Sequence, residues 1–249
     1  MSRTDVSITT ADGVCPAYVF TPEGRGPWPA AIFLMDGLAI RPTLMDMGER
    51  LASHGYWVLV PDMFYRDGPY APMDPSKLFA DEEARKALFA KIGKCANPEA
   101  AKSDMAAFLQ FLSSQSQVKG SKVGVTGYCM GGGLALRAAG NFPDRVAAAG
   151  AFHPGHLVTD DPDSPHRLAP KMKAKVYVGG ADEDAGFTPE NRDALDKALS
   201  DAGVEHRAEI YEGAKHGYTM KDLSVYDEPA AERHWREVFG LFDSALKAA

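Results

Sequence analysis

The chain has 249 residues, of which 45% are hydrophobic and 24% charged, and this ordinary globular composition excludes disordered, collagen-like and disulfide-scaffold proteins. A net charge of −7 argues against a nucleic-acid partner, because such a surface does not attract phosphate backbones. The sequence contains no run of about 18 apolar residues that would predict a membrane span, and residues 1–12 lack the apolar stretch of a signal peptide. We therefore expect a cytoplasmic protein. The cysteines, Cys15, Cys95 and Cys129, are far apart and form no CxxC pair, which argues against a disulfide framework and a zinc site.

Short apolar runs alternate with helical patterns along the chain. Val6–Thr9 and Val14–Phe20 predict a hairpin. Continuous apolar runs predict buried strands at Ala30–Leu34, Trp57–Val60, Val123–Thr126, Val146–Phe152 and Val176–Val178. The last predicted strand, Ala208–Tyr211, alternates more between apolar and polar residues. Helices are predicted at Leu44–His54, Pro98–Ser114, Met130–Asn141, Pro189–Ala202 and Ala230–Lys247. The alternation predicts one α/β domain over residues 1–249, with a doubly wound, mostly parallel sheet, antiparallel N-terminal strands and functional residues at the carboxyl ends of the strands.

One segment, Arg66–Lys94, interrupts this alternation. A Pro/Gly-rich stretch, Asp67–Pro75, precedes a charged helix predicted from Ser76 to Ile92. The segment leaves the carboxyl end of the strand Trp57–Val60 and is long for a simple connection. A cap beside the functional site is therefore favoured, with a surface insertion as the alternative.

The pentapeptide GYCMG at residues 127–131 has the pattern of a nucleophile on a tight turn. It lies between a strand and a helix and fits the G-x-S-x-G elbow with Cys129 in place of serine. Its two glycines remove side chains that would clash across the turn, and the helix N-terminus favours a thiolate. The amide of Met130 is then a candidate donor to an oxyanion.

Two other interpretations of this turn are weaker. A dinucleotide-binding loop would make the protein a nucleotide-dependent oxidoreductase, but the G-x-G-x-x-G order is not met and the turn does not follow the first strand. A lone cysteine is usually a buried structural residue, as we expect of Cys15 and Cys95. The elbow context instead favours a nucleophile at Cys129.

A nucleophile needs a base and an acid that orients the base, and in this fold the acid precedes the base along the chain. His216 is the candidate base, because it follows the last strand in a glycine-flanked loop. Asp182 and Asp184 both follow a buried strand; Asp182 is favoured because it is nearer the strand end, and Asp184 is the alternative. His153 and His156 could line the pocket, but this pair lacks the third ligand that zinc needs.

The loop after Ala30–Leu34 is expected to supply a second oxyanion donor, for which the amide of Gly37 is the candidate. Asp36 precedes this glycine. It is either a turn-forming residue or a carboxylate that contacts the thiol of Cys129, and spacing alone does not decide between them.

Together these motifs resemble the dienelactone hydrolase family of α/β-hydrolases. The matching stretches are GYCMGG at 127–132, GYWVLVPD at 55–62 with MFYR at 63–66, GAD at 180–182 and YEGAKHGY at 211–218. The resemblance implies a triad of Cys129, His216 and Asp182. It also implies an oxyanion hole from the amides of Gly37 and Met130. The implied activity is hydrolysis of ester or lactone bonds in a small molecule, with no cofactor and no metal.

Two positions depart from the family pattern. Asp36 stands where the family's archetype has a Glu that activates the thiol, and Met220 stands where it has an Arg that binds the substrate carboxylate. The resemblance implies a further substrate-binding Arg in the cap segment, for which Arg85 is the candidate. Tyr128 and Tyr65, within the matching stretches, are candidate substrate contacts. These departures favour an ester that is less polar or differently charged than a dienelactone.

A non-catalytic or thiol-sensing homologue on the same scaffold is the main alternative function. A full set of nucleophile, base and acid candidates argues against it. The sequence does not specify the natural substrate or the oligomeric state, which could be a monomer or a dimer.

Overall fold

The structure, a computed structural model, describes residues 1–70, 73 and 81–247. Its strands are β1 Ser2–Thr10, β2 Gly13–Thr21, β3 Trp28–Leu34, β4 Trp57–Pro61, β5 Val118–Tyr128, β6 Val146–Phe152, β7 Lys175–Ala181 and β8 His206–Tyr211. Its longer helices are α1 Pro42–Ser53, α2 Glu82–Ala96, α3 Pro98–Ser113, α4 Met130–Asn141, α5 Pro189–Asp201 and α6 Glu228–Phe242. Short 3₁₀ segments occur at Tyr65–Asp67 and Pro165–Lys171, and a π-helical turn at Asp243–Lys247 follows α6.

The eight strands form one sheet in the order β1-β2-β4-β3-β5-β6-β7-β8. β1 pairs with β2, and β2 with β4, in antiparallel fashion, whereas the strands from β3 to β8 all run parallel to one another. The predicted doubly wound, mostly parallel sheet with an antiparallel start is confirmed. Every residue of β4 is buried, which accounts for its continuous apolar run, because helices cover both faces of such a sheet.

Polar caps and prolines define where several helices begin. The Asp81 side chain accepts hydrogen bonds from two amides of α2, and Asn97 caps α3 in the same way. Thr188 forms a capping box at the start of α5. Since these residues satisfy amides that have no partner within the helix, they fix the start of each helix.

Two of the predicted helices have clearly different boundaries in the structure. The last predicted helix ends early, at Phe242, and the chain continues as the π-helical turn. The charged helix predicted from Ser76 begins at Glu82 and extends to Ala96. Residues 71, 72 and 74–80, which include part of the predicted Pro/Gly-rich stretch and the predicted helix start, lie outside the described residues.

The parallel strands bring the loops after β3, β5, β7 and β8 to one edge of the sheet. In the register, Leu34 of β3 lies beside Gly127 of β5, and Ala181 of β7 beside Tyr211 of β8. The predicted nucleophile, acids, base and oxyanion donor all follow these strand ends. No helix in the described ranges combines the length and the apolar character that a membrane crossing requires.

Candidate active site

The elbow between β5 and α4 holds Cys129 in a backbone conformation that few residues adopt. Its φ and ψ are 54° and −116°, which is unusual for any residue other than glycine. A Cβ atom on Gly127 would lie 1.9 Å from the carbonyl oxygen of Gly131, and one on Gly131 would lie 2.5 Å from that of Leu34. Close backbone packing thus explains both glycines, and the turn presents Cys129 at the first position before the helix.

Cys129 differs from the other two cysteines in its exposure. All three are free thiols, but Cys15 and Cys95 are buried whereas Cys129 is partly exposed. Burial raises the pKa of Cys15 far above its usual range and that of Cys95 to about 12. Both buried thiols are therefore poor nucleophiles, as the sequence predicted, and Cys129 is the accessible one.

His216 joins Cys129 to a carboxylate. Its Nδ1 lies 2.6 Å from Oδ2 of Asp184. Burial by itself would lower the pKa of His216, but hydrogen bonds to Asp184 and Cys129 raise it to about 10. Burial would raise the pKa of Asp184, yet the hydrogen bond and charge of His216 lower it overall. At neutral pH, Asp184 and His216 therefore form a carboxylate–imidazolium pair beside Cys129.

The carboxylate beside His216 is not the one that the sequence favoured. Asp182 instead accepts hydrogen bonds from the amides of Glu183, at 3.0 Å, and Gly213, at 2.9 Å. It thereby fastens the loop after β7 to the turn after β8. The chain then reverses through Glu183, which has a left-handed φ of 52°, and only Asp184 reaches back over His216.

His153 lies directly behind His216. The ring centroids of His153 and His216 are 5.2 Å apart, and Nε2 of His153 is 2.7 Å from Oγ1 of Thr219. Complete burial, with the nearby charge of His216, lowers the pKa of His153 well below its usual value. His153 is thus a neutral residue beneath the site, whereas His156, the other candidate, is exposed.

Asp36 is a turn-forming residue, one of its two predicted alternatives, and it also pairs with an arginine. Its Oδ1 accepts from the Leu38 amide at 3.0 Å and from Nη1 of Arg41 at 2.7 Å, and its Oδ2 accepts from Nη2 of Arg41 at 2.9 Å. Within the described residues, its hydrogen bonds therefore go to Arg41 and its own turn, and the expected contact with Cys129 is not made. Arg41 was missed by the sequence reasoning, because nothing in a lone arginine indicates a partner five residues earlier.

Helix α2, from the segment that interrupts the alternation, lies over this loop. The Cδ1 atom of Ile92 would be 2.9 Å from a Cβ on Gly37, so it packs against the candidate oxyanion loop. The Sγ of Cys95 is 3.7 Å from the Sδ of Met130, the other candidate donor. Arg85, partly exposed, lies on the same helical face as Ile92, seven residues earlier. These contacts favour the cap over a remote surface insertion.

The two tyrosines predicted to bind substrate lie in the interior. Tyr128 is fully buried, and its hydroxyl is 2.8 Å from Nε2 of His234. Tyr65 is buried too, and its hydroxyl donates to Asp104 at 2.8 Å. This burial argues against contact with a substrate, since sequence proximity to a functional residue does not determine the direction of a side chain. Met220 is likewise fully buried.

A metal site is not indicated in the described ranges, where no group of three or more His, Cys, Asp or Glu side chains could hold an ion. The arrangement is instead an exposed thiol, an imidazole and a carboxylate in sequence. Such a set activates a nucleophile for attack on an electrophilic carbon.

Comparisons with known proteins agree on one family. The model of the "Dienelactone hydrolase family" matches residues 15–246. A Methylorubrum extorquens protein described as "Putative carboxymethylenebutenolidase" is 27% identical over 244 residues, covering 96% of this chain and 79% of that protein. The structure of a Klebsiella pneumoniae protein described as "Putative Dienelactone Hydrolase" has a TM-score of 0.83 at 22% identity, covering 97% of this chain and 98% of that one. A dienelactone hydrolase from Anabaena variabilis has a TM-score of 0.69 at 19% identity, covering 98% of each chain. At these identities the structural likeness concerns the fold.

Proposed function

The chain belongs to the dienelactone hydrolase family of the α/β-hydrolase superfamily and is a hydrolase, and from this premise we propose that it cleaves carboxylic ester or lactone bonds in small molecules. The proposed intermediate is an acyl group carried as a thioester on Cys129. The observation that carries the proposal is the placement of three side chains: Nδ1 of His216 lies 2.6 Å from Asp184, and Cys129, on the strained elbow, is close enough to raise the pKa of that ring.

The raised pKa of His216, about 10, supports a protonated imidazole at neutral pH. The thiolate of Cys129 is the proposed partner of this ring, because a neighbouring imidazolium and a helix N-terminus both favour the ionised sulfur. Such a pair needs no further base to begin the reaction. Asp184 holds Nδ1 of the ring, which leaves Nε2 as the nitrogen available to the sulfur. This role replaces the one predicted for Asp182.

Acylation begins when the Cys129 thiolate attacks the carbonyl carbon and forms a C–S bond. The carbonyl electron pair moves to oxygen, and the amides of Met130 and Gly37 donate to the resulting oxyanion, each contributing about 3 kcal/mol. As the tetrahedral intermediate collapses, the C–O bond breaks and His216 gives its proton to the leaving alcohol. The product is the thioester and a neutral imidazole.

Deacylation uses the same groups in reverse. Neutral His216 takes a proton from water as the hydroxyl attacks the thioester carbon. The intermediate expels the thiolate of Cys129, and the carboxylic acid product leaves. The imidazolium and thiolate are thereby restored without any cofactor.

The surroundings favour a substrate without a strongly anionic group beside the base. Met220, where the family's archetype has an arginine, is buried. The nearby Arg41 is occupied by carboxylates of the protein. Ile92 provides an apolar wall against Gly37. We therefore expect short, neutral esters or lactones to be the better substrates, with Arg85 as the candidate contact for any more distant negative charge.

The proposal is tested with Cys129→Ala on 4-nitrophenyl acetate and a panel of lactones and dienelactones. Cys15→Ala, which removes a buried thiol remote from the elbow, is the matched control. We expect Cys129→Ala to lose at least about 10³-fold in kcat/KM, and the control to keep its activity. Mass spectrometry of the quenched wild-type reaction should show one acyl group on Cys129.

Two results would argue against this function. Activity retained in Cys129→Ala would remove the cysteine from the reaction. Acylation or alkylation of Cys129 without turnover on any ester would instead favour the thiol-sensing alternative.

A further inference from the structure

A buried arginine joins two of the loops that form the candidate active site. The side chain of Arg41 is 6% exposed, and it contacts Asp36, which is 5% exposed, and Asp222, which is 34% exposed. Asp36 belongs to the loop after β3, and Asp222 to the loop after β8, 181 residues from Arg41 along the chain. This Asp36–Arg41–Asp222 bridge therefore spans the two sides of the site.

Every N–H direction of Arg41 is used within the bridge. Nη1 donates to Oδ1 of Asp36 at 2.7 Å and to the carbonyl of Ala39 at 3.2 Å. Nη2 donates to Oδ2 of Asp36 at 2.9 Å and to Oδ1 of Asp222 at 3.3 Å. Nε donates to Oδ2 of Asp222 at 2.5 Å. A guanidinium has five donors, so Arg41 has none left for a substrate.

The same bonds limit what Asp36 can do. Both of its oxygens accept charge-assisted hydrogen bonds from Arg41, and breaking such a buried pair would leave an unpaired charge. Asp36 is consequently held in place as an anion rather than free to move toward the thiol. Its function is to fix the turn that carries Gly37, through its hydrogen bond with the Leu38 amide.

The loop at the other end of the bridge carries His216. It is held at two points, by Arg41 on Asp222 and by His153 on Thr219, whose side chains are 2.7 Å apart. His153 contacts the His216 ring from behind. The Gly37 loop and the His216 loop are thus linked through one rigid guanidinium rather than through solvent.

We propose that Arg41 is a positioning residue that sets the Gly37 amide and His216 at a fixed separation around Cys129, with Asp36 and Asp222 as its two anchors. The inference rests on the proposed function for the role of Gly37 and His216. It assigns Asp36 a positioning role in place of thiol activation.

The test uses Asp222→Asn, which weakens the outer anchor but leaves the buried Arg41–Asp36 pair intact. A second bridge of the same construction provides the matched control: Arg66 donates to Asp12 at 2.7 Å and to the buried Asp104 at 2.8 Å. Asp12 lies in the β1–β2 turn and is 50% exposed. Asp12→Asn therefore removes an equivalent outer anchor from a bridge that joins neither the Gly37 loop nor the His216 loop.

We expect Asp222→Asn to lower kcat on 4-nitrophenyl acetate by about 10- to 100-fold, because small misplacements of reacting groups have effects of that size. KM should change by less than about threefold, and Asp222→Glu should restore most of kcat, since it again offers a carboxylate to Arg41. Asp12→Asn should lower the Tm by a similar amount while its kcat stays within about twofold of the wild type.

A second measurement does not depend on the substrate. The rate of Cys129 alkylation by iodoacetamide at pH 6 reports the thiolate paired with His216, and the other cysteines are buried. Asp222→Asn should slow alkylation toward the rate of His216→Ala, whereas Asp12→Asn should not. If the wild-type protein hydrolyses no ester, the proposed function fails. The alkylation rate of Cys129 then tests the positioning role of Arg41 by itself.

Equal behaviour of Asp222→Asn and Asp12→Asn in kcat and in alkylation would overturn the inference. The inference would also be overturned if the loss of kcat in Asp222→Asn were proportional to its loss of Tm and were not restored by Asp222→Glu. Either result would reduce the bridge to a contribution to stability.

Discussion

Replacing Asp184 by Asn tests which carboxylate orients the base. In the wild type, Oδ1 of Asp184 accepts from the Gly186 amide at 2.8 Å, while Oδ2 faces Nδ1 of His216 at 2.6 Å. An amide that keeps the bond to Gly186 presents its NH₂ group to Nδ1. Nδ1 must then accept, so the ring proton moves to Nε2, and the ring can no longer receive a proton from Cys129 or from water.

The expected magnitude follows from the bond that is lost. A hydrogen bond between charged partners contributes about 1.5 to 3 kcal/mol, which corresponds to a roughly 10- to 150-fold loss in kcat/KM. The wrong tautomer increases the loss toward about 10⁴-fold, the size seen when the acid of a catalytic triad is changed to its amide. Asp184→Asn should therefore lose between about 10² and 10⁴ in kcat/KM.

Asp182→Asn is the matched control, because the two acids are two residues apart in one loop. It keeps one of the two backbone hydrogen bonds of Asp182 and loses the other. We expect a loss of about 1 kcal/mol in stability and less than about threefold in kcat/KM. The assay is 4-nitrophenyl acetate hydrolysis, with urea denaturation of each variant in parallel.

The stability of Asp184→Asn should also depend on pH differently from that of the wild type. The folded-state pKa of His216, about 10, lies above its ordinary value of 6.5, so the stabilisation is complete below pH 6.5 and is lost as pH rises through 10. Wild type and Asp184→Asn should therefore differ most in stability below pH 6.5 and converge at alkaline pH. A greater loss of activity in Asp182→Asn than in Asp184→Asn would refute the assignment of the acid.

Two further predictions concern stability. Gly131→Ala should abolish folding or activity, because its Cβ would lie 2.5 Å from the Leu34 carbonyl oxygen. Gly133→Ala, whose Cβ would have its nearest atom at 3.9 Å, should instead stabilise the protein by about 0.5 to 1 kcal/mol through helix propensity. Soluble yield and Tm compare the two variants, and equal Tm values would contradict the close packing at Gly131. Burial lowers the pKa of His234 to about 3, so the unfolded state binds an extra proton between pH 6.5 and 3 and stability should fall with acid by up to about 1.4 kcal/mol per pH unit. His234→Gln should flatten that slope in urea titrations while the exposed His156→Asn leaves it unchanged, and an unaltered slope in His234→Gln would show that the buried ring does not govern acid sensitivity.

Local patterns were sufficient to predict the scaffold and the elbow that carries the candidate nucleophile. Continuous apolar runs predicted the parallel strands because both faces of such strands are buried. The GYCMG turn predicted the elbow at Cys129, because glycine is required where Gly127 and Gly131 meet neighbouring backbone. The base candidate His216 followed from its place after the last strand. These features depend on residues that are close together in the chain.

Tertiary structure alone decided which side chains meet around that thiol. Asp184 rather than Asp182 faces His216, because the loop reverses at Glu183. Glutamate rarely adopts a left-handed conformation, so the sequence does not predict this reversal. Tyr128, adjacent to the nucleophile in sequence, points into the core instead of the site. The bridge through Arg41 joins groups 181 residues apart, and no local pattern encodes such a contact. The composition and the three scattered cysteines thus excluded whole classes of protein, and the elbow motif singled out one thiol. The long-range packing of loops at one end of the sheet determined what surrounds that thiol.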